Sequence, residues 1–305
     1  PCQTQDDYAR LAVQSLPAAG PGLDQGVGWF FMKASVMVWA GPVLGADEHT
    51  AQEAAWSRLL HQLMRTRRRG PLNGLVFNID LSWLLQANQE QLQAAGKQMR
   101  ARHDALARVF QARIPVWLML QGGEKVPGLS AWLQQLPPEV YDQALGYMVG
   151  GQGAEQGSLQ FLAQAFESVG RRMAQLRIVL GQHGVQPAPV FELPERIAAQ
   201  QAILQDLLAP AFEATPYSAT PLLRGLYWQV RTPHQTREGI AFARDVLDRI
   251  LPSCRYGWQV FDRWSPWRRV LRHSLVLAWL LLCGALAGGL FYSSERARSR
   301  LQAFA

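Results

Sequence analysis

Residues Leu72–Leu81 read LNGLVFNIDL, an apolar run that follows Gly70-Pro71 and carries no charge before Asp80. Val, Phe and Ile in such a run mark a strand buried on both faces. C-terminal to it, Trp83–Phe110 has helical spacing and leads to a second uncharged run, Pro115–Leu120 (PVWLML). A strand, a long crossover helix and another apolar strand make a βαβ unit with parallel strands. N-terminal to it, Glu48–Arg67 reads as a helix carrying Trp56, Leu59, Leu60, Leu63 and Met64 on one stripe. Ala34–Ala40 (ASVMVWA) reads as a further buried strand, ended by Gly41-Pro42.

Beyond Leu120 the pattern changes. Leu129–Leu136 is a short helix closed by Pro137-Pro138, and Gly150–Gly157 (GGQGAEQG) is a loop. Helices are expected at Ser158–Leu180 and Pro194–Leu208, followed by a turn-rich stretch from Pro210 to Pro221. Leu222–Val230 (LLRGLYWQV) is another strand and Arg237–Ile250 a last helix. The chain therefore reads as α/β: an open, mostly parallel sheet with helices on both faces, and a helical addition over 128–210.

Near the C-terminus lies Leu275–Tyr292 (LVLAWLLLCGALAGGLFY), 18 residues without a charge. As a helix it rises roughly 27 Å, close to the hydrocarbon thickness of a bilayer. A buried core helix keeps a polar stripe, which this run lacks. Trp258, Trp264 and Trp267, interleaved with Arg255, Arg263, Arg268, Arg269 and Arg272, precede it and suit the headgroup layer. Arg296, Arg298 and Arg300 follow, beside Glu295. The larger basic excess before the span places the large domain in the cytoplasm by the positive-inside rule. The absent initial Met and the stop soon after the span suggest a segment of a longer protein.

The net charge of +7 is concentrated in the run Arg65–Gly70 (RTRRRG) and in the pre-membrane arginines. Nucleic acid is one partner for such clusters, but no recognisable nucleic-acid module surrounds them. Cys2, Cys254 and Cys283 form no metal-ligand spacing and fit a reduced compartment. No G-x-x-x-x-G-K-[ST] loop and no G-x-S-x-G elbow occurs. Gly20, Gly22 and Gly26 lack a following helix start or Lys and read as a plain loop. Asp47, Glu48 and His49 are adjacent rather than spaced for one metal, and acids suit a helix start. Asp80 is the best-placed lone carboxylate for a site, and the same position suits an N-cap, the stronger reading.

Three ordered segments together resemble the cytoplasmic region of the IcmF/TssM family. They are Arg65–Leu85 (RTRRRGPLNGLVFNIDLSWLL), Ile114–Pro137 (IPVWLMLQGGEKVPGLSAWLQQLP) and Thr215–Pro233 (TPYSATPLLRGLYWQVRTP), followed by one apolar span. PLNG before an apolar strand, and PLLRGLYW, are the most specific pieces. The resemblance covers roughly residues 28–292 and implies the large inner-membrane component of a type VI secretion membrane complex. A stabilising subunit of a type IVB system is the close alternative. It further implies a GTPase-like α/β domain (1–127) with a helical extension (128–210) and a closing strand and helix (211–253). A basic aromatic segment (254–274), the span (275–292) and the start of a periplasmic region (293–305) complete the chain.

The departures from the family are informative. The stretch PCQTQDDYARLAVQSLP stands where many members carry a Walker loop and has neither its glycines nor its Lys. Val38, Trp39, Ala40 and Gly41 stand where a D-T-A-G switch would be, and Gln121, Gly122, Gly123 and Glu124 where T-K-x-D would read guanine. Magnesium-dependent hydrolysis needs charged partners for metal and phosphate. The expectation is a non-enzymatic scaffold without cofactor, working through surfaces. The resemblance implies a small inner-membrane partner, baseplate proteins, an outer-membrane lipoprotein met by a periplasmic part, the lipid bilayer and further copies of the chain. Arg65, Arg67, Arg68 and Arg69 are candidate partner contacts; a membrane-tethered nucleotide switch is the competing class.

Overall fold

The computed structural model describes residues 8–17, 27–40, 49–66, 72–149, 157–181, 188–215, 220–232, 240–254, 259–260 and 265–302. The chain divides into two compact units, Pro1–Gln259 and Val260–Ala305.

In the first unit a helical turn at 8–11 precedes an antiparallel meander of β1 (Gln14–Pro17), β2 (Val27–Phe31) and β3 (Val36–Ala40). The strand expected over Ala34–Ala40 thus exists, but it is half-exposed and lies outside the parallel sheet. The reason is local. A tight turn with Met32 N–H donating to Ser35 O at 2.9 Å folds β3 back on β2, and so short a connection permits only antiparallel pairing.

Helix α1 (His49–Thr66) leads to β4 (Leu75–Asp80), then α2 (Leu81–Gln86), α3 (Gln89–Phe110) and β5 (Pro115–Gln121). The single helix expected over Trp83–Phe110 is divided at Ala87-Asn88. Asp80 Oδ1 accepts the Ser82 N–H at 2.7 Å and caps α2, as its position suggested. Asn88 then opens α3 with a reciprocal capping box to Gln91, both bonds 2.9 Å.

Short helix α4 (Leu129–Leu133), strand β6 (Leu145–Met148), helices α5 (Ser158–Gly181), α6 (Leu193–Ala198) and α7 (Gln200–Phe212), and strand β7 (Leu222–Trp228) follow. The main sheet has the order β4-β5-β7-β6; the first three strands are parallel and β6 is an antiparallel edge. The helix expected at Arg237–Ile250 is shorter. Ile240–Ala241 pairs with Val230–Arg231 as a two-residue strand, and a π-helical turn begins only at Val246. Between them Phe242 takes φ 68°, held by its N–H on Tyr141 O at 2.7 Å and by its ring against Trp132.

One face of the sheet (Phe77, Ile79, Val116, Leu118, Leu120, Leu226, Trp228) packs on α3, α5 and α7. On α5, Phe161, Leu162, Ala165, Phe166, Val169 and Met173 recur every three or four residues and form its buried stripe. Phe166 meets Trp228 edge-on at 5.6 Å, and the Trp228 indole donates to buried Gln200 Oε1 at 3.0 Å. These contacts tie the helical layer to the sheet.

The opposite face is built around Trp117. Its ring lies where a Cβ on Gly74 or Gly225 would stand: 1.9 Å from its Cζ3 and 2.7 Å from its Cδ1, respectively. Met119, Tyr227, Val246, Ile250 and Leu251 complete that layer. Gly74→Ala, whose Cβ would meet the Trp117 ring, therefore lowers stability by about 1–3 kcal/mol, and Trp117→Leu relieves much of that loss. A thermal-unfolding cycle of the two single variants and the double variant measures both effects.

On α3, buried Arg100 joins Asp104 (3.1 Å) and donates to the carbonyls of Ala211 and Glu213, clamping the end of α7. Beside it His103 is almost fully buried, with Nε2 3.2 Å from Ile114 O. Desolvation by burial holds its pKa below the ordinary value. The unfolded chain therefore binds more protons below about pH 6.5, so stability falls as pH drops through that value toward the lower folded pKa. Denaturation at a series of pH values should show this slope in the native protein and a shallower one in His103→Gln.

The second unit is dominated by one helix, α8 (Ser265–Gln302). Within it, His273–Ser294 has a mean hydropathy of 2.1 over its most apolar window and buries none of that window in the protein. By length and composition it can cross a bilayer, and it contains the expected span of 275–292.

Candidate functional site at the carboxyl end of the sheet

Open parallel sheets present ligand sites beyond the carboxyl ends of their strands. Here that end is formed by Asp80 on β4, Gln121 on β5 and Gln229 after β7. Asn78 and Met119 sit one layer deeper, in adjacent strands and in register. Strand alternation puts Asn78, Met119 and Gln121 on the Trp117 face, away from the α3–α7 layer.

That corner is filled by the chain's own N-terminal turn. Tyr8 is completely buried, and its hydroxyl donates to Asn78 Oδ1 at 2.7 Å. Gln121 Nε2 donates to the Tyr8 oxygen at 3.2 Å and lies 3.3 Å from Gln229 Oε1. Gln229 Nε2 approaches the sulfur of Met119 at 3.7 Å. Among the described residues, the result is a network of neutral groups joined by hydrogen bonds. Above it the Tyr8 ring packs on Phe30 (6.4 Å between centroids) and Trp39 (6.1 Å), two side chains of the meander.

The turn after β5 is also committed. Gly122 adopts φ 77°, a left-handed turn that glycine enters without strain. Gly123 N–H donates to Gln229 O at 2.9 Å, and Glu124 Oε2 accepts the Arg231 N–H at 3.1 Å. Its backbone and carboxylate thus serve the next strand.

Three segments far apart in sequence meet here: the N-terminal stretch through Tyr8, the Val38–Gly41 stretch through Trp39, and Gln121–Glu124 through Gln121. Each stands where the family resemblance aligned a nucleotide element, and the fold packs them against one another. Sequence reasoning missed Tyr8, Asn78 and Gln229. Asn78 was the available signal, as the one polar residue in the interior of an otherwise apolar strand.

The candidate contact residues lie elsewhere. Arg65 is exposed in the last turn of α1; Arg67, Arg68 and Arg69 fall outside the described residues. Trp267, Arg268, Arg269 and Arg272 occupy the first two turns of α8, just before the apolar span. Trp258 and Trp264 lie outside the described residues, as do Gly20, Gly22, Gly26, Asp47 and Glu48. Among the described residues no three His, Cys, Asp or Glu side chains converge as metal ligands.

Comparison with known proteins gives two matches. Residues 49–238 match the IcmF-related N-terminal domain family. The "Type VI secretion system component TssM1" of Pseudomonas aeruginosa is 30% identical over 248 residues, covering 77% of this chain and 22% of that protein. The chain thus spans about a fifth of that relative's length. No solved structure matches. The matched region runs from α1 through β7 and includes Gly74, Trp117 and Gly225, the residues on which the sheet is packed. With more than half of its residues covered in this way, the chain belongs to the IcmF/TssM family.

Proposed function

We propose that the chain is the cytoplasmic domain and following membrane helix of a structural subunit in a bacterial type VI secretion membrane complex. It joins baseplate-side components in the cytoplasm to the periplasm and catalyses no reaction. The domain descends from a GTPase-like fold whose nucleotide chemistry has been lost. The observation that carries this reading is the Tyr8 network. Phosphate and magnesium require backbone N–H groups, a cation and acidic or hydroxyl ligands at the carboxyl end of the sheet. That place is taken by an aromatic ring and a network of neutral amides.

A scaffold acts through its surfaces and its anchor. The basic flank before the apolar span supports a cytoplasmic position for the large domain, with residues 293–305 emerging in the periplasm. The small inner-membrane partner, the baseplate proteins, further copies of the chain and an outer-membrane lipoprotein met by a periplasmic part complete the proposed assembly. Affinity isolation of the full-length protein from native membranes should recover it in a large complex with other secretion-system membrane components. A monodisperse monomer with none of them contradicts the proposal.

A further inference from the structure

The positive charge of this protein is unevenly distributed. Residues 56–69 and 97–113 hold ten of the 30 Lys and Arg but one of the 23 Asp and Glu. The remaining chain carries 20 basic and 22 acidic residues, so these two segments form one concentration of positive charge, the arginines that flank the apolar span being the other. The described parts of the two segments are the second half of α1, up to Thr66, and the second half of α3 with the three residues that follow it, and the fold packs them together. Leu60, Leu106, Phe110 and Ile114 form their shared core, and Arg102 lies 5.6 Å over the Trp56 ring. Two of the ten cations serve the interior: Arg100 clamps α7, and Arg113 donates to Thr220 O. The lone acid, Asp104, is engaged by Arg100 at 3.1 Å.

Arg67, Arg68 and Arg69 lie outside the described residues; of the other five cations, four are exposed and Arg102 is half-exposed. Arg58, His61 and Arg65 are exposed at i, i+3 and i+7 along α1, a single helical stripe. Lys97 and Arg108 are exposed on α3, with Arg102 half-exposed between the helices. Helix-dipole compensation accounts for Arg65 and Arg108, which stand in last turns. It does not account for Lys97, which lies in the interior of α3; on α1 the His61 ring is held by its Nδ1, 2.8 Å from Ser57 O.

We infer that this α1–α3 face is a docking surface for an acidic segment of another protein, with carboxylates spaced along a helix to match Arg58, His61 and Arg65. Arginine dominates the face, and its planar fork pairs bidentately with carboxylates. A lipid surface fits less well. Helices that lie on membranes sink apolar side chains between their cations, whereas here Leu60, Leu106 and Phe110 are buried within the domain. Single-stranded nucleic acid needs open aromatic platforms, and the Trp56 ring lies beneath Arg102.

The test uses the full chain in zwitterionic phosphatidylcholine nanodiscs, with poly-L-glutamate as the probe at low ionic strength. R58Q/R65Q/R108Q should raise the dissociation constant about tenfold, the sum of several exposed ion pairs. The control R171Q/R172Q, on the exposed flank of α5, should change it about twofold or less. Circular dichroism checks that each variant is folded, and R65Q alone, with an expected loss of about two- to threefold, replaces an unfolded triple variant. Three results overturn the inference: no binding of polyglutamate, equal losses in the triple variant and the control, or a loss confined to phosphatidylglycerol vesicles or duplex DNA.

Discussion

The Trp117 indole fits between three parallel strands only because two backbone positions carry no side chain. Gly74 stands at the entry to β4 and Gly225 in the middle of β7, and the ring of β5 fills the volume a Cβ would take at either. Interiors pack at crystal-like density, so such a wedge fixes the stagger of the neighbouring strands. It also explains why PLNG, PVWLML and PLLRGLYW occur together in one chain. They are three parts of one contact, although Gly74 and Gly225 lie far apart in sequence.

The layers on either side of that sheet follow from it. One face is fully apolar and receives α3, α5 and α7, with Trp228 and Gln200 as the polar stitch. The other face is apolar at its amino end, around Trp117, and polar at its carboxyl end, where Asn78, Gln121 and Gln229 collect. Tyr8 suits such a boundary, because its ring packs on the meander while its hydroxyl satisfies the amides. On the proposed reading, this closure turns an ancestral ligand site into a structural joint, leaving the outer surfaces and the membrane helix as the working parts.

Much of this architecture was legible in the sequence, for physical reasons specific to each element. β4, β5 and β7 announced themselves because strands buried on both faces must be uncharged along their length. α5 and α7 showed helical periodicity, and Asp80 sat where a cap belongs. Three features were hidden. The meander resembles a buried strand locally, and only its short turn at Met32–Ser35 decides the pairing. β6 is four residues long, at the lower limit for reading alternation, and Gly146 interrupts its pattern. The Tyr8 network joins residues more than 200 positions apart, and no local pattern encodes such a contact. Its one trace was Asn78, a polar residue where an apolar one was expected.

Isothermal titration of the full chain in detergent with GTP or ATP and magnesium tests the central claim most directly. With Tyr8 seated on Asn78 and Gln121, neither nucleotide should give saturable heat up to about 1 mM. Micromolar binding of either nucleotide would contradict it and return the carboxyl end of the sheet to service as a ligand site.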